Sequence, residues 1–364
     1  MKRSILYILF FYLCVLGMQV SGSLYIDYEF FNADTVPFFL FFMVTSWLIK
    51  KTGKFNGVNS FDISWIDVVC KLSILISVVI IILTLPYQGR DAKLEAVSAN
   101  IILYYLSFIN TAFIIIILSS MYQPYQKTYT EKTVSLIIFA VLFAMFMSYS
   151  RSLAFFLVIS FFTSGIKINL PKKKIALFIV PFLVMILIMP LLQGRTDDYI
   201  FAMVRTVQNL YFYNAFPFYL GETILRISEQ FQGLSLGYPG YIVTKLFGFP
   251  LDSNVFFDQK MLYDFVILGS SLIYGDINAN VMYPTWAIVS IDFGNMAFLV
   301  YLLATLTIVV LLYNKLTIIG CWLYFRFYIL GFMVSPVILR DTIFEFAIVI
   351  LLQFFFYKKR FVFN

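Results

Sequence analysis

Apolar residues in this chain fall into long runs separated by short polar connections. Ten runs are long enough to consider as membrane spans: 4–20, 36–49, 66–85, 99–120, 133–147, 152–165, 175–192, 285–313, 316–334 and 343–357. A helix needs roughly 20 residues to cross a bilayer, so the shorter runs must borrow flanking aromatics or thin the membrane locally. The fifth and sixth runs are separated only by Ser148-Tyr149-Ser150-Arg151, a turn rather than a loop. The first run has a basic start and is followed by Ser21-Gly22-Ser23, as in a cleavable signal peptide. Its apolar stretch is longer than the usual signal core, so it reads as an uncleaved first span.

One interruption stands apart from the short connections. The stretch 193–283 opens on Gln193-Gly194-Arg195-Thr196-Asp197-Asp198 and closes on Asp276-Ile277-Asn278-Ala279-Asn280-Val281-Met282-Tyr283. Insertions of this length are more often functional lids or binding loops than spacers, the competing reading being a tolerated surface excursion. Segments 199–220 and 262–274 inside it are apolar enough to dip into a membrane. Arg205, Gln208, Asn209 and Asn214 argue against the first as a lipid-facing span. A single extra span would invert the charge pattern downstream, so neither or both cross. The expectation is one all-α, polytopic membrane domain over 1–364 with about ten (10–12) spans, and 193–283 as a long loop with short helices.

Composition supports the membrane class. The 364 residues are 62% hydrophobic and 12% charged, against roughly 45–50% and 25% in soluble domains. Aromatic residues make up 20%, with 43 Phe and 25 Tyr, which suits interfacial belts and could supply platforms for stacking sugars. Cys14, Cys70 and Cys321 lie in or beside apolar runs with no CxxC pair, as buried packing residues do. Histidine is absent, which removes His-based acid–base and nucleophile chemistry and the commonest metal ligand. No phosphate-loop, dinucleotide or zinc-protease motif is present, so no cofactor and no metal is expected.

Basic residues give the orientation. Lys2, Arg3, Lys50, Lys51, Lys54, Lys127, Lys132, Lys167, Lys172, Lys173, Lys174, Lys315, Lys358, Lys359 and Arg360 occupy every second connection and both ends. The positive-inside rule then puts both termini in the cytoplasm and 193–283 outside. The two sides also differ in kind. The inner set is nearly all lysine, whereas the outer set is mostly arginine: Arg90, Arg151, Arg195, Arg205, Arg226 and Arg340, beside Lys93, Lys245 and Lys260. Lysine suffices as a point charge, while arginine offers a planar fork for phosphate or carboxylate. An anionic ligand at the outer leaflet follows, with outward carboxylates as the competing partners. For Arg226, one turn from Glu222 and Glu229, pairing is the better reading. Arg151 has no acid beside it, Arg195 follows Gly194, and amphipathic helix would hold Arg205 near the same surface.

Two charges fall inside apolar runs. Arg326 lies near the middle of 316–334, where an unpaired charge costs about 2.5–3.5 kcal/mol by insertion scales. It marks a functional cavity or pairs with Asp292 or Glu345. Asp292 lies about two helical turns inside the eighth run, just before Gly294, a residue suited to a helix break or close packing.

Here the chain resembles the O-antigen polymerase family, the Wzy-type oligosaccharide repeat-unit polymerases. The resemblance rests on the many spans and the long outward loop in the second half. It rests also on Gly194-Arg195 at the exit of the seventh span, Ser150-Arg151, and the Asp292-Phe293-Gly294 step entering the next span. It implies a metal-independent glycosyltransferase in the bacterial inner (plasma) membrane that joins undecaprenyl-diphosphate-linked oligosaccharides into O-antigen or capsular polysaccharide at the outer face. A chain-length regulator is the implied protein partner, and no nucleic acid is involved. Carried over, Arg151, Arg195, Arg205 and Arg340 handle the anionic substrate, and Arg326 joins them as an interior cation. Arg195, Asp197 and Asp292 are the catalytic candidates. The related ligases depend on an outward histidine that this chain lacks. The rival reading is a flippase or transporter of lipid-linked glycans, which usually shows paired repeats and discontinuous helices.

Overall fold

A computed structural model describes residues 2–55, 64–87, 89–124, 128–150, 152–168, 180, 184, 199–226, 233, 237–248, 265–271, 275–279, 283–339 and 341–361. The chain is mostly helical. In order, it forms α1 (Lys2–Ser21), β1 (Ser23–Leu24), α2 (Thr35–Phe55), α3 (Ser64–Thr84), α4 (Arg90–Ala99), α5 (Ile101–Ser120) and β2 (Thr128–Tyr129). Next come α6 (Glu131–Ser148), α7 (Ser152–Ser164), β3 (Lys167–Ile168), α8 (Tyr199–Arg226), α9 (Gly237–Leu246), β4 (Val266–Ser271) and β5 (Gly275–Ala279). The last part holds α10 (Thr285–Phe293), a 3₁₀ turn (Gly294–Met296), α11 (Ala297–Tyr313) and α12 (Thr317–Tyr324). A π turn (Phe325–Ile329), 3₁₀ turns at Leu330–Phe332 and Pro336–Ile338, and α13 (Asp341–Phe361) complete it.

Among the described residues, five helical segments are long and apolar enough to cross a membrane: Lys2–Ser21, Trp65–Thr84, Ile101–Ser120, Glu131–Ser148 and Thr285–Tyr313. Ser152–Ser164 and Thr317–Phe332 are shorter apolar helices. The run at 36–49 lies in α2, which carries Lys50, Lys51 and Lys54 in its last turns, and the run at 343–357 lies in α13. The run at 175–192 falls almost wholly outside the described residues. Helices rich in Val and Ile, such as α3, are natural in this setting. Lipid offers no hydrogen bonds, so the backbone must satisfy itself, and that requirement outweighs the weak helix propensity of β-branched residues.

The chain divides into two compact units. The first holds 1–52, 208–315 and 323–343; the second holds 53–207, 316–322 and 344–364. In the second unit, α3 packs along α5 and α6, with α7 returning beside α6. Side chains outside the backbone ladder set its helix starts. Asn100 Oδ1 accepts the N–H groups of Ile102 and Leu103 at 3.0 and 3.3 Å, and Thr130 Oγ1 accepts that of Thr133 at 3.2 Å. These caps satisfy amides that have no partner in the first turn. Inside the bundle, Ser73 Oγ donates to Asn110 Oδ1 at 2.6 Å and Asn110 Nδ2 donates to Ser77 Oγ at 2.9 Å. This polar clamp fixes α3 against α5 where apolar contact alone distinguishes poorly between protein and lipid. The α12 and α13 portions of this unit meet through Gln353 Oε1, which accepts Ile318 N–H at 2.9 Å.

The first unit has an aromatic core. Phe332 stacks nearly parallel to Phe11 of α1 and Phe39 of α2, with centroids 5.1 and 5.3 Å away, and Tyr7, Phe38 and Phe42 meet it edge-on. Helix α8 enters this core: Phe212, Ala215, Phe218, Tyr219 and Leu220 are fully buried. The stretch read from sequence as a loop with short helices therefore contributes the second half of a long helix to the interior of this unit. Glycine makes that packing possible. A Cβ on Gly221 would lie 2.6 Å from Trp286 Cη2 and 3.1 Å from Ala287 Cβ, so α8 can approach α10 only without one.

A small antiparallel sheet, ordered β1-β4-β5, was not anticipated. Ser23 pairs with Ser270, and the β4–β5 hairpin runs from Val266↔Ala279 to Ser271↔Gly275 with an irregularity between Ile267 and Gly269. Gly269 is required here, because a Cβ would lie 2.3 Å from the Ser23 carbonyl oxygen. The sheet ties the end of α1 to the stretch before α10, and Leu268 and Ile277 turn inward from it.

Candidate functional site

Of the two readings of Gly294, a helix break or close packing, the structure shows the break. Its backbone sits at φ 50°, ψ −127°, a conformation that only glycine adopts cheaply, and it converts the end of α10 into the 3₁₀ turn before α11. Asp292 lies two residues before the break and is half-buried. Its Oδ1 accepts the backbone N–H of Gly233 at 2.9 Å. Gly233 itself is at φ +83°, and it belongs to the stretch 193–283. The carboxylate therefore holds a backbone amide of that stretch against the broken helix, a structural role the sequence did not reveal.

Arg326 sits inside the π turn and is only 6% exposed, so its guanidinium lies within the protein rather than in lipid. A π turn shifts the ladder by one residue, and such turns gather at functional positions. Around it, hydroxyl groups cross between helices. Tyr7 OH donates to the Ile329 carbonyl at 2.8 Å, satisfying one oxygen in the π turn. Thr305 Oγ1 lies 2.7 Å from Thr45 Oγ1 and 2.8 Å from Tyr328 OH, and Ser46 Oγ lies 2.6 Å from Tyr324 OH. Glu345, one partner considered for Arg326, belongs to the other unit. There it is buried and its Oε2 accepts the Trp322 indole N–H at 3.2 Å.

The remaining candidates divide by what the structure describes. Arg151, Arg195, Asp197 and Arg340 lie outside the described residues. Arg205 lies in α8, with its backbone helical. Arg226 makes the expected i,i+4 pair: its Nε is 3.0 Å from Glu222 Oε1, and its Nη2 donates to the Asp27 carbonyl at 3.2 Å. All three cysteines are buried and free. Among the described residues, no group of three or more His, Cys, Asp or Glu side chains is placed to hold a metal ion.

Two further groupings were not legible in sequence. In the first unit, Tyr28, Tyr219 and Trp286 pack together, with centroids of Tyr28 5.6 Å from Tyr219 and 6.2 Å from Trp286. The Trp286 indole nitrogen and the neighbouring Thr285 hydroxyl are buried with no hydrogen-bond partner among the described residues. Burial drives the Tyr28 phenol, in the connection between α1 and α2, well above its ordinary pKa.

In the second unit, Lys93 of α4 is 6% exposed, while Asp91 and Glu95 of the same helix face outward. The Lys93 ammonium rests over the rings of Tyr149 at 4.2 Å and Phe146 at 5.7 Å, and Arg90 Nε nearby is buried without a partner among the described residues. A cation–π contact contributes about 0.5–1 kcal/mol at an exposed site and about 2 kcal/mol or more when desolvated.

No family model, curated protein or solved structure matches this chain. The functional reading accordingly rests on the chemistry of these residues.

Proposed function

We propose that the protein is a polymerase of polyprenyl-diphosphate-linked oligosaccharides, working at the outer face of a bacterial inner membrane with about ten spans and both termini inside. The observation that carries this reading is a buried cation, Arg326, in a π-distorted apolar helix. A second helix of the same unit is broken at Gly294 beside the carboxylate of Asp292. Ionisable groups placed at such depth are costly and are retained where a polar substrate must be handled.

In glycosyl transfer, an acceptor hydroxyl oxygen bonds to the donor's anomeric carbon as the bond from that carbon to the diphosphate oxygen breaks. The electron pair leaves with the diphosphate, and the hydroxyl proton passes to a base. Fixed guanidinium groups stabilise the developing diphosphate charge without a metal. Arg151, Arg195, Arg205 and Arg340 fill that role from the outer connections, with Arg326 in the interior. Asp197, Asp198, Asp292 and Asp341 are the candidate bases.

Deletion of the gene and complementation tests the assignment. Arg195→Ala, inserted normally, is expected to abolish long-chain polysaccharide and leave single repeat units displayed outside. Wild-type chain length from that variant would remove Arg195 from the mechanism. The second reading, a flippase of lipid-linked glycans, is favoured by the two helix discontinuities, at Gly294 and in the π turn, which transporters use at their substrate sites. It predicts that single units are trapped on the cytoplasmic side in the deletion strain.

A further inference from the structure

The second unit carries a basic site that the reading above does not use. It lies at the end of the bundle where α3 and α6 finish and α5 and α7 begin, with α4 bridging α3 to α5. On α4 the charges are arranged against solvation. The acids Asp91 and Glu95 are exposed, whereas Lys93 is buried and Arg90 is half-buried, its Nε without a partner among the described residues. A helix merely covering the bundle end would turn its charged groups outward together.

The floor beneath Lys93 is built with strain. Tyr149 caps α6 in the left-handed conformation, φ 48° and ψ 37°, one of two non-glycine residues with positive φ among those described. That conformation brings its ring face to 4.2 Å from the Lys93 ammonium. Strained backbone of this kind persists where the surroundings demand it. Ser150 and Ser152 follow, their hydroxyls 2.6 Å apart, and Ser152 opens α7, so a helix N-terminus with its positive dipole end lies in the same turn.

We infer that Lys93 and Arg90, over the Tyr149 turn, form a binding site for a phosphate-class anion. In the framework of the polymerase reading, on which this identification of the ligand rests, the anion is the diphosphate of a lipid-linked substrate. Asp292 and Arg326 belong to the other unit. The Tyr149 and Phe146 rings hold the ammonium from one side, and Arg90 supplies the second cation from one helical turn away.

The test uses the whole protein in phosphatidylcholine nanodiscs, with inorganic pyrophosphate as probe and thermal unfolding as readout. Pyrophosphate is expected to raise the Tm of the wild type, because a ligand that binds only the folded state stabilises it. Lys93→Met, matched in length but uncharged, is expected to insert normally and to weaken pyrophosphate binding by about 10- to 100-fold, the loss typical of a charge-assisted contact. Lys93→Arg is expected to retain binding, and Arg90→Gln provides an independent loss-of-charge variant. Nanodiscs containing phosphatidylglycerol separate the possible sources. A Tm rise with that lipid, abolished by Lys93→Met, assigns the site to a lipid headgroup.

Equal response of wild type and Lys93→Met overturns the proposal, and so does no response of the wild type to either probe. A chain that binds pyrophosphate through Lys93 but makes no polymer would sink the polymerase reading and leave the site standing. Full polymer from Lys93→Met with unchanged pyrophosphate binding would sink the site alone.

Discussion

Two glycines show how differently the same residue constrains this protein. Gly221 has ordinary helical backbone but no room, since a Cβ would lie 2.6 Å from the fully buried Trp286 ring. Gly294 has open space around it but a backbone that other residues adopt only under strain. Gly221→Ala is expected to destabilise by about 1–3 kcal/mol through overpacking. Gly294→Ala is expected to cost about 1–3 kcal/mol through backbone strain. Denaturant unfolding in detergent separates the two causes. Adding Trp286→Phe should recover stability in Gly221→Ala and leave Gly294→Ala unrelieved; equal recovery in both would contradict the steric account. Gly294 was legible because Asp292-Phe293-Gly294 interrupts an apolar run. Gly221 was not, because its partner is remote in sequence. Lys93 was legible as a charge but not as a buried one, since the facing of a short amphipathic helix depends on the bundle it covers.

At the scale of elements, the apolar runs translated well into helices wherever length and composition agreed, as in α1, α3, α5 and α6. They translated poorly where polar residues serve the interior. Arg205, Gln208, Asn209 and Asn214 made α8 read as part of a loop, yet its second half lies at the core of a unit and Asn214 is buried there. The β1-β4-β5 sheet was invisible because β1 is two residues long and its partner lies far along the chain. Polar residues also hold helices together. Asn110 is fully buried against Ser73, Ser77 and Met147, so Asn110→Ala removes three interhelical hydrogen bonds. A loss of about 1–2 kcal/mol is expected, from bonds of the strength measured between membrane helices plus a small cavity. Unfolding free energy within experimental error of the wild type would remove the clamp from the account.

For the whole molecule, composition alone separates this chain from soluble proteins, and the five apolar helices agree with that class. The orientation proposed from the lysine and arginine distribution has its own test. The native cysteines are buried, so an introduced surface thiol stands out against a low background. Ser98→Cys, at the exposed end of α4, is expected to react with a membrane-impermeant maleimide added outside intact cells. Asn314→Cys, in the exposed turn after α11, is expected to react only after permeabilisation. The reverse pattern would invert the topology and put Lys93, Arg90 and the stretch 193–283 inside.

The central claim is that the protein extends glycans rather than moves them. Its most direct test is reconstitution of the purified chain into liposomes carrying a polyprenyl-diphosphate-linked oligosaccharide, with no other protein present. Polymerase activity predicts a ladder of lengthened glycans and release of polyprenyl diphosphate, with no added metal required. Redistribution of single units across the bilayer without any lengthening would contradict the account and favour a transporter.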